Sequence, residues 1–224
     1  MTLRLCEDIA AADWVARSRL DWTRLVGFGP AGFDAYARLR LLPDPEYPGQ
    51  SETDAVTSAW RSQQLPILFT VLGQHTSTPD DCYFCVWEGF LDLGRRTVHP
   101  DDDSHVASSA SDAVPALAPE VPDPPWVPRV PRVEVPNRAY WLFQGPLSDA
   151  GSWEAADGWP ERGSQQGAEP AFVWPEDRAW CVAKDVDPHW AGIGGTHALI
   201  EYLAADPRLD VVPADPGSQP PSYW

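Results

Sequence analysis

The strongest constraint on the fold comes from one stretch of the chain, Trp174–Pro213. Ala179–Asp185 is short and apolar with turn-forming residues on both sides, which predicts a β-strand. Gly192–Thr196 predicts a glycine-containing loop. Thr196–Ala205 predicts a helix, because its first residue is a favoured N-cap and its apolar residues recur at helical spacing. Leu209–Val212 follows an Asp-Pro stop and predicts a second strand.

Both faces of the predicted strand Ala179–Asp185 are apolar. Trp180 and Val182 point to one side, whereas Ala179, Cys181 and Ala183 point to the other, since side chains alternate along a strand. A strand that is apolar on both sides is typical of the middle of a sheet. We therefore expect it to be central and covered on both faces.

Shorter apolar runs extend this unit into a sheet. Phe33–Leu42 alternates apolar and polar residues, which predicts a strand with one face on the core and one on water. Cys82–Glu88 and Arg138–Gln144 predict two more strands, and Ile67–His75 predicts a helix. The sequence therefore predicts a single α+β domain over residues 1–224, with a mixed, largely antiparallel sheet, two or more packed helices and long Pro-rich insertions.

Two segments have too few apolar residues to build a core. Residues 94–136 are rich in proline and serine and predict a disordered or extended insertion, and residues 213–224 predict a loose tail. Within the insertion, the prolines of Pro122–Pro131 recur every three residues, as on one edge of a polyproline II helix. Such a row serves as a ligand for an aromatic groove, or packs across its own protein, and the sequence leaves both open.

The net charge of −17 narrows the classes of partner. Nucleic acids and anionic membranes would be repelled, so neither is predicted as a partner. A basic protein would be attracted. Asp101, Asp102 and Asp103 form the densest run of like charge and are candidate binding residues.

The four cysteines are irregularly spaced and no signal peptide precedes them, which favours a reducing cytoplasm over a disulfide scaffold. Cys82 and Cys85 have the spacing of half a zinc knuckle or of a redox pair. No second pair exists, and residues three apart in a regular strand point to opposite faces. We therefore interpret them as buried structural cysteines and predict no metal.

The segment Asp185–Thr196 contains the remaining candidate site residues. Gly194, Gly195 and Thr196 would precede a helix, where free backbone N–H groups bind anions, but the lysine of a P-loop and the spacing of a dinucleotide fingerprint are missing. We therefore interpret the segment as a plain turn and helix cap, with anion binding as the alternative, and predict no cofactor. His189 lies close in sequence to Asp185 and Asp187, and a histidine beside carboxylates is a candidate catalytic base. No serine or cysteine in a nucleophile motif accompanies it, so the alternative is a surface loop residue without a function.

Four segments of the chain resemble those of a family of uncharacterised cytoplasmic proteins from high-GC actinobacteria. They are Phe28–Leu39, His75–Phe90, Arg138–Leu147 and Trp174–Asp187. The resemblance implies a bacterial, cytoplasmic protein with one continuous fold interrupted by insertions. It carries over no activity, cofactor or catalytic residue.

Two hypotheses of function follow. The first is an acidic soluble binding protein, an inhibitor or immunity-type partner of a basic protein, because the charge would steer such a partner. The second is a small hydrolase or transferase that uses the segment Asp185–Thr196. Polar groups that converge in a concave pocket would favour the enzyme, and a flat acidic face would favour the binding protein.

Overall fold

The computed structural model describes residues 2–55, 64–89, 128–159 and 168–224, and these segments form a nine-stranded sheet with helices on both faces. The strands are β1 (Arg4–Leu5), β2 (Ala35–Arg40), β3 (Cys82–Trp87), β4 (Val133–Val135), β5 (Arg138–Gly145), β6 (Phe172–Pro175), β7 (Cys181–Ala183), β8 (Trp190–Gly195) and β9 (Val211–Ala214). The α-helices are α1 (Asp13–Ala16), α2 (Trp22–Phe28), α3 (Gln64–Leu72) and α4 (His197–Ala205). Short 3₁₀ turns connect several of them.

The strands lie in the order β1-β5-β3-β6-β7-β8-β2-β9, and β4 also pairs with β5. All pairings between these strands are antiparallel. The predicted α+β class with a largely antiparallel sheet is therefore confirmed. Within the described residues, no helix combines the length and the apolar character needed to cross a membrane.

The core is split into two layers by the sheet. On one side, which we call the α3 face, Leu68 of α3 and Leu203 of α4 pack on the sheet. On the other side, the α2 face, Val15 of α1 and Leu25 of α2 do so. Each layer covers one apolar side of the sheet, so the central strands are buried on both.

The central strand β7 has the predicted faces. Trp180, which precedes it, and Val182 belong to the core of the α3 face. Cys181 and Ala183 belong to the core of the α2 face. Ala179, predicted for that face, packs on the core of the α3 face instead, because it lies in the turn before β7, where side chains do not alternate. The prediction of a strand in the middle of the sheet, covered twice, is confirmed.

The predicted loop Gly192–Thr196 is wrong, because Trp190–Gly195 form the buried strand β8 between β7 and β2. A side chain on Gly192 would overlap the carbonyl of Gly27, and one on Gly194 would overlap the ring of Phe33. These glycines therefore let α2 and its neighbours pack directly on the backbone of the strand. Thr196 does cap α4 as predicted, since its Oγ1 accepts a hydrogen bond from Leu199 N at 3.2 Å.

Parts of the two irregular segments have defined contacts. Val133–Val135, at the end of the predicted insertion, form β4, and Asn137 turns the chain into β5 with a φ of 64°. Residues 90–127, with the aspartates at 101–103, lie outside the described residues, so the predicted disorder stays a prediction. In the predicted loose tail, Pro213 and Ala214 belong to β9.

Candidate functional site

The predicted catalytic residues lie at one end of the sheet, in the connection between β7 and β8. His189 is only 3 % exposed, and its Nε2 lies 3.2 Å from Oδ1 of Asp44. Asp44 also accepts two hydrogen bonds from the guanidinium of Arg38, at 2.6 and 2.9 Å. The partner of His189 is therefore Asp44, and the predicted neighbours Asp185 and Asp187 belong to another group.

The prediction that the polar side of β2 faces water is wrong at Arg38. The residue is 7 % exposed, because Asp44 pairs with its charge and the ring of Trp190 lies 5.6 Å below the guanidinium carbon. The alternation of residues along β2 correctly predicts the side of the sheet on which Arg38 lies, but it does not predict that Arg38 is buried. Burial depends on Trp190, which the register of β8 places beside Arg40.

The Arg38–Asp44–His189 group has shifted pKa values. Burial lowers the pKa of His189, and the hydrogen bond to Asp44 opposes this effect only in part. Burial would raise the pKa of Asp44, but hydrogen bonds from Arg38 and His189 and the nearby positive charges lower it to about 2. The group therefore holds an ionised carboxylate beside a neutral imidazole at neutral pH.

A second group surrounds the guanidinium of Arg138. The guanidinium donates two hydrogen bonds to the carboxylate of Asp185, at 3.3 and 3.4 Å, and lies 4.0 Å from the carboxylate of Asp187. The rings of Trp22 and Trp87 lie 5.3 and 4.8 Å from the guanidinium carbon. Two carboxylates and two indoles thus hold one arginine side chain by ion pairing and cation–π contact.

A cleft of about 830 Å³ connects these two groups. Its walls are α2, the connection from Asp185 to Trp190, and residues 216–224 of the tail, so we call it the tail cleft. Its acidic lining residues are Asp21, Glu52, Asp185 and Asp187, and its aromatic ones are Trp22, Phe28, Trp190, Tyr223 and Trp224. Arg24 is the one arginine or lysine among the lining residues. The tail cleft is therefore acidic and aromatic.

The other predicted site residues are separate from the tail cleft. Gly194 and Gly195 are buried in β8, where they pair with β2, and Thr196 caps α4. The predicted anion loop is therefore not formed by these residues. Asp101–Asp103 lie outside the described residues.

The cysteines are buried within the sheet. Cys82 belongs to the core of the α3 face and Cys85 to that of the α2 face, so the prediction that they point to opposite sides is confirmed. In the part of the chain that the structure describes, no group of three potential ligands is placed to hold a metal ion. Burial raises the pKa of Cys6 to about 11 and that of Cys82 to about 12, so both remain protonated thiols at neutral pH.

Sequence reasoning found His189, Asp185 and Asp187 but missed Asp44, Arg138 and the tail. Asp44 lies in a Pro-rich turn, and no local pattern connects it with a histidine 145 residues further along the chain. The available signal for such a site was the high tryptophan content, because these large rings need partners to cover them.

No protein-family model, no curated protein and no solved structure matches this chain.

Proposed function

We propose that this protein is an acidic binding protein, an inhibitor or immunity-type partner that takes a basic segment of another protein into the tail cleft. The observation that carries the proposal is the environment of Arg138. Asp185, Asp187 and Trp22, which line the cleft, hold the guanidinium of Arg138 together with Trp87. The same chemistry would hold an arginine or lysine of a partner.

The distribution of charge supports this proposal. Most of the arginine and lysine side chains that the structure describes are paired with a carboxylate of the same chain. They are Arg17, Arg38, Arg40, Arg132, Arg138, Lys184 and Arg208. Because acidic residues outnumber basic ones by 33 to 16, these pairs leave an acidic surplus at the surface. Such a surplus accelerates the association of a basic partner.

Asp187 is the carboxylate of the cleft best placed to meet an incoming cation. Its side chain is 86 % exposed, whereas that of Asp185 is 9 % exposed and bonded to Arg138. The ion pair between Asp187 and Arg138 spans 4.0 Å, so Asp187 would give up only a weak contact to bind an incoming cation. Asp185 instead keeps Arg138 and the tryptophan rings in place.

The experiment measures binding of a fluorescent hexaarginine peptide by anisotropy at low salt. Asp187→Lys should weaken binding about tenfold or more, because a repulsive charge would stand in the cleft. Glu201→Lys is the matched control, since Glu201 is exposed on α4, on the other face of the sheet. It changes the net charge equally and should weaken binding less than about twofold. Equal losses in both variants, or no binding to the parent protein, would contradict the proposal.

The second candidate is the small hydrolase or transferase, and the Arg38–Asp44–His189 group favours it. A histidine held by a carboxylate is a general base. The hydrogen bonds of the described residues connect His189 to Asp44 and to no serine or cysteine, so the acyl-transfer arrangement lacks its nucleophile there. Hydrolysis of nitrophenyl esters that is lost in His189→Gln would favour this candidate over the binding protein.

The actinobacterial, cytoplasmic setting implied by the resemblance stays a prediction.

A further inference from the structure

The tail closes one side of the tail cleft and is attached at both ends. At its start, β9 belongs to the sheet, and Asp215 accepts hydrogen bonds from Gly217 N at 2.8 Å and from Ser218 Oγ at 3.1 Å. At its far end, Tyr223 and Trp224 are bonded to the loop after β2. We call residues Gln219–Trp224 the strap.

The far end of the strap is held by two hydrogen bonds, which we call the clasp. The hydroxyl of Tyr223 donates to the carbonyl of Pro43 at 2.6 Å, and the amide of Trp224 donates to the carbonyl of Gln50 at 3.0 Å. The ring of Tyr223 also packs on the edge of His189, with centroids 4.7 Å apart and planes at 73°. The indole of Trp224 is 93 % exposed, so this last side chain adds little packing to the clasp.

The residues under the clasp have hydrogen bonds of their own. Gln50 is buried, and its Oε1 accepts a hydrogen bond from the amide of Glu46 at 2.6 Å. His189 is held by Asp44, which Arg38 holds in turn. We therefore expect motion at the clasp to be mainly motion of the strap.

The middle of the strap has no such attachment. Among the described residues, Gln219 to Ser222 make no hydrogen bond to the rest of the protein. Pro220 and Pro221 have no amide hydrogen to donate, and their fixed φ angles make the segment stiff. A stiff segment attached only at its ends opens as a unit when one end is released.

We propose that the strap is a gate: release of the clasp opens the tail cleft, so that an extended basic segment can enter and leave. This inference rests on the proposed function of the cleft. It states that two hydrogen bonds and one aromatic contact determine how fast a ligand binds and dissociates. Weakening the clasp raises the association and dissociation rates together. Loss of the Tyr223 hydroxyl changes the equilibrium affinity much less, because the charged groups and the aromatic rings that line the cleft, the ring of residue 223 included, remain.

The first test needs no ligand and follows hydrogen exchange of the Trp224 amide by NMR. The substitution Tyr223→Phe removes the hydroxyl and keeps the ring on His189. It should speed exchange at Trp224 about fivefold, as expected for the loss of one neutral hydrogen bond. Tyr202→Phe is the matched control, because Tyr202 is a half-exposed tyrosine on α4, and it should leave the rate unchanged. If the Trp224 amide is unprotected from exchange in the parent protein, or exchanges equally fast in the parent and in Tyr223→Phe, the proposed role of the clasp is wrong.

The second test measures stopped-flow kinetics of the hexaarginine peptide with the same proteins. In Tyr223→Phe both rate constants should rise about fivefold while their ratio stays within about twofold. Faster exchange at Trp224 with unchanged peptide kinetics would overturn the gate while leaving the clasp in place. Absence of peptide binding in every variant would contradict the proposed function and the gate with it. The exchange data would then still decide whether the strap opens as a unit.

Discussion

Single side chains in this protein show how burial and hydrogen bonding combine. Tyr140 is fully buried in β5, and its hydroxyl has no hydrogen-bond partner in the described structure. An unsatisfied buried hydroxyl costs about 1–3 kcal/mol, so Tyr140→Phe should raise the free energy of unfolding by about 1 kcal/mol in urea melts. Tyr83→Phe is the matched control and should lower it by a similar amount, because the Tyr83 hydroxyl accepts a hydrogen bond from Gln144. Equal losses in both variants would show that Tyr140 has a partner after all.

The pH dependence of stability should report His189. Burial lowers its pKa below the usual 6.5, so the unfolded chain binds the proton more readily than the folded one. The free energy of unfolding should therefore fall as the pH drops below about 6.5, and this slope should flatten in His189→Gln. Asp44 acts in a separate window, since its contribution is present above its usual pKa and is lost only as the pH falls toward about 2. Urea melts between pH 7 and 5 measure the slope, and His197→Gln, at an exposed position of α4, should keep that of the parent.

At the scale of elements, the contact between α2 and β8 depends on the absence of a side chain. A Cβ at Gly192 would overlap the carbonyl of Gly27 and crowd Phe28. Gly192→Ala should therefore lower the free energy of unfolding by about 1–3 kcal/mol, because backbone cannot move aside as a side chain can. Gly73→Ala is the control, since a Cβ there would meet only Leu147 at 3.7 Å. It should change stability by less than about 1 kcal/mol, and equal effects in both variants would argue against the close contact.

For the molecule as a whole, the net charge of −17 opposes the compact state by self-repulsion. Screening should relieve it, so the melting temperature should rise when sodium chloride is increased from about 0.02 to about 0.2 M. An uncharged osmolyte at equal osmolality is the control for solvent effects. A melting temperature that falls with salt would show that the intramolecular ion pairs outweigh the repulsion.

The features that could be predicted from the sequence are local ones. The alternation in Cys181–Ala183, the cap at Thr196 and the strand Arg138–Gly145 follow from neighbouring residues, whose sterics and periodicity act over one element. The same reasoning identified His189 as a candidate because histidine has distinctive chemistry wherever it lies.

The remaining features depend on contacts between residues that lie far apart in the chain. The sequence predicts a loop at the glycines of β8. They form a strand instead, and α2 packs on their backbone. The tail cleft joins residues 21, 52, 187 and 223, which no pattern links. Tyr223 meets His189 and Pro43 only because β9 returns the chain to the edge of β2. Such contacts depend on which strands pair over long separations, and that choice is made by the burial of the whole core.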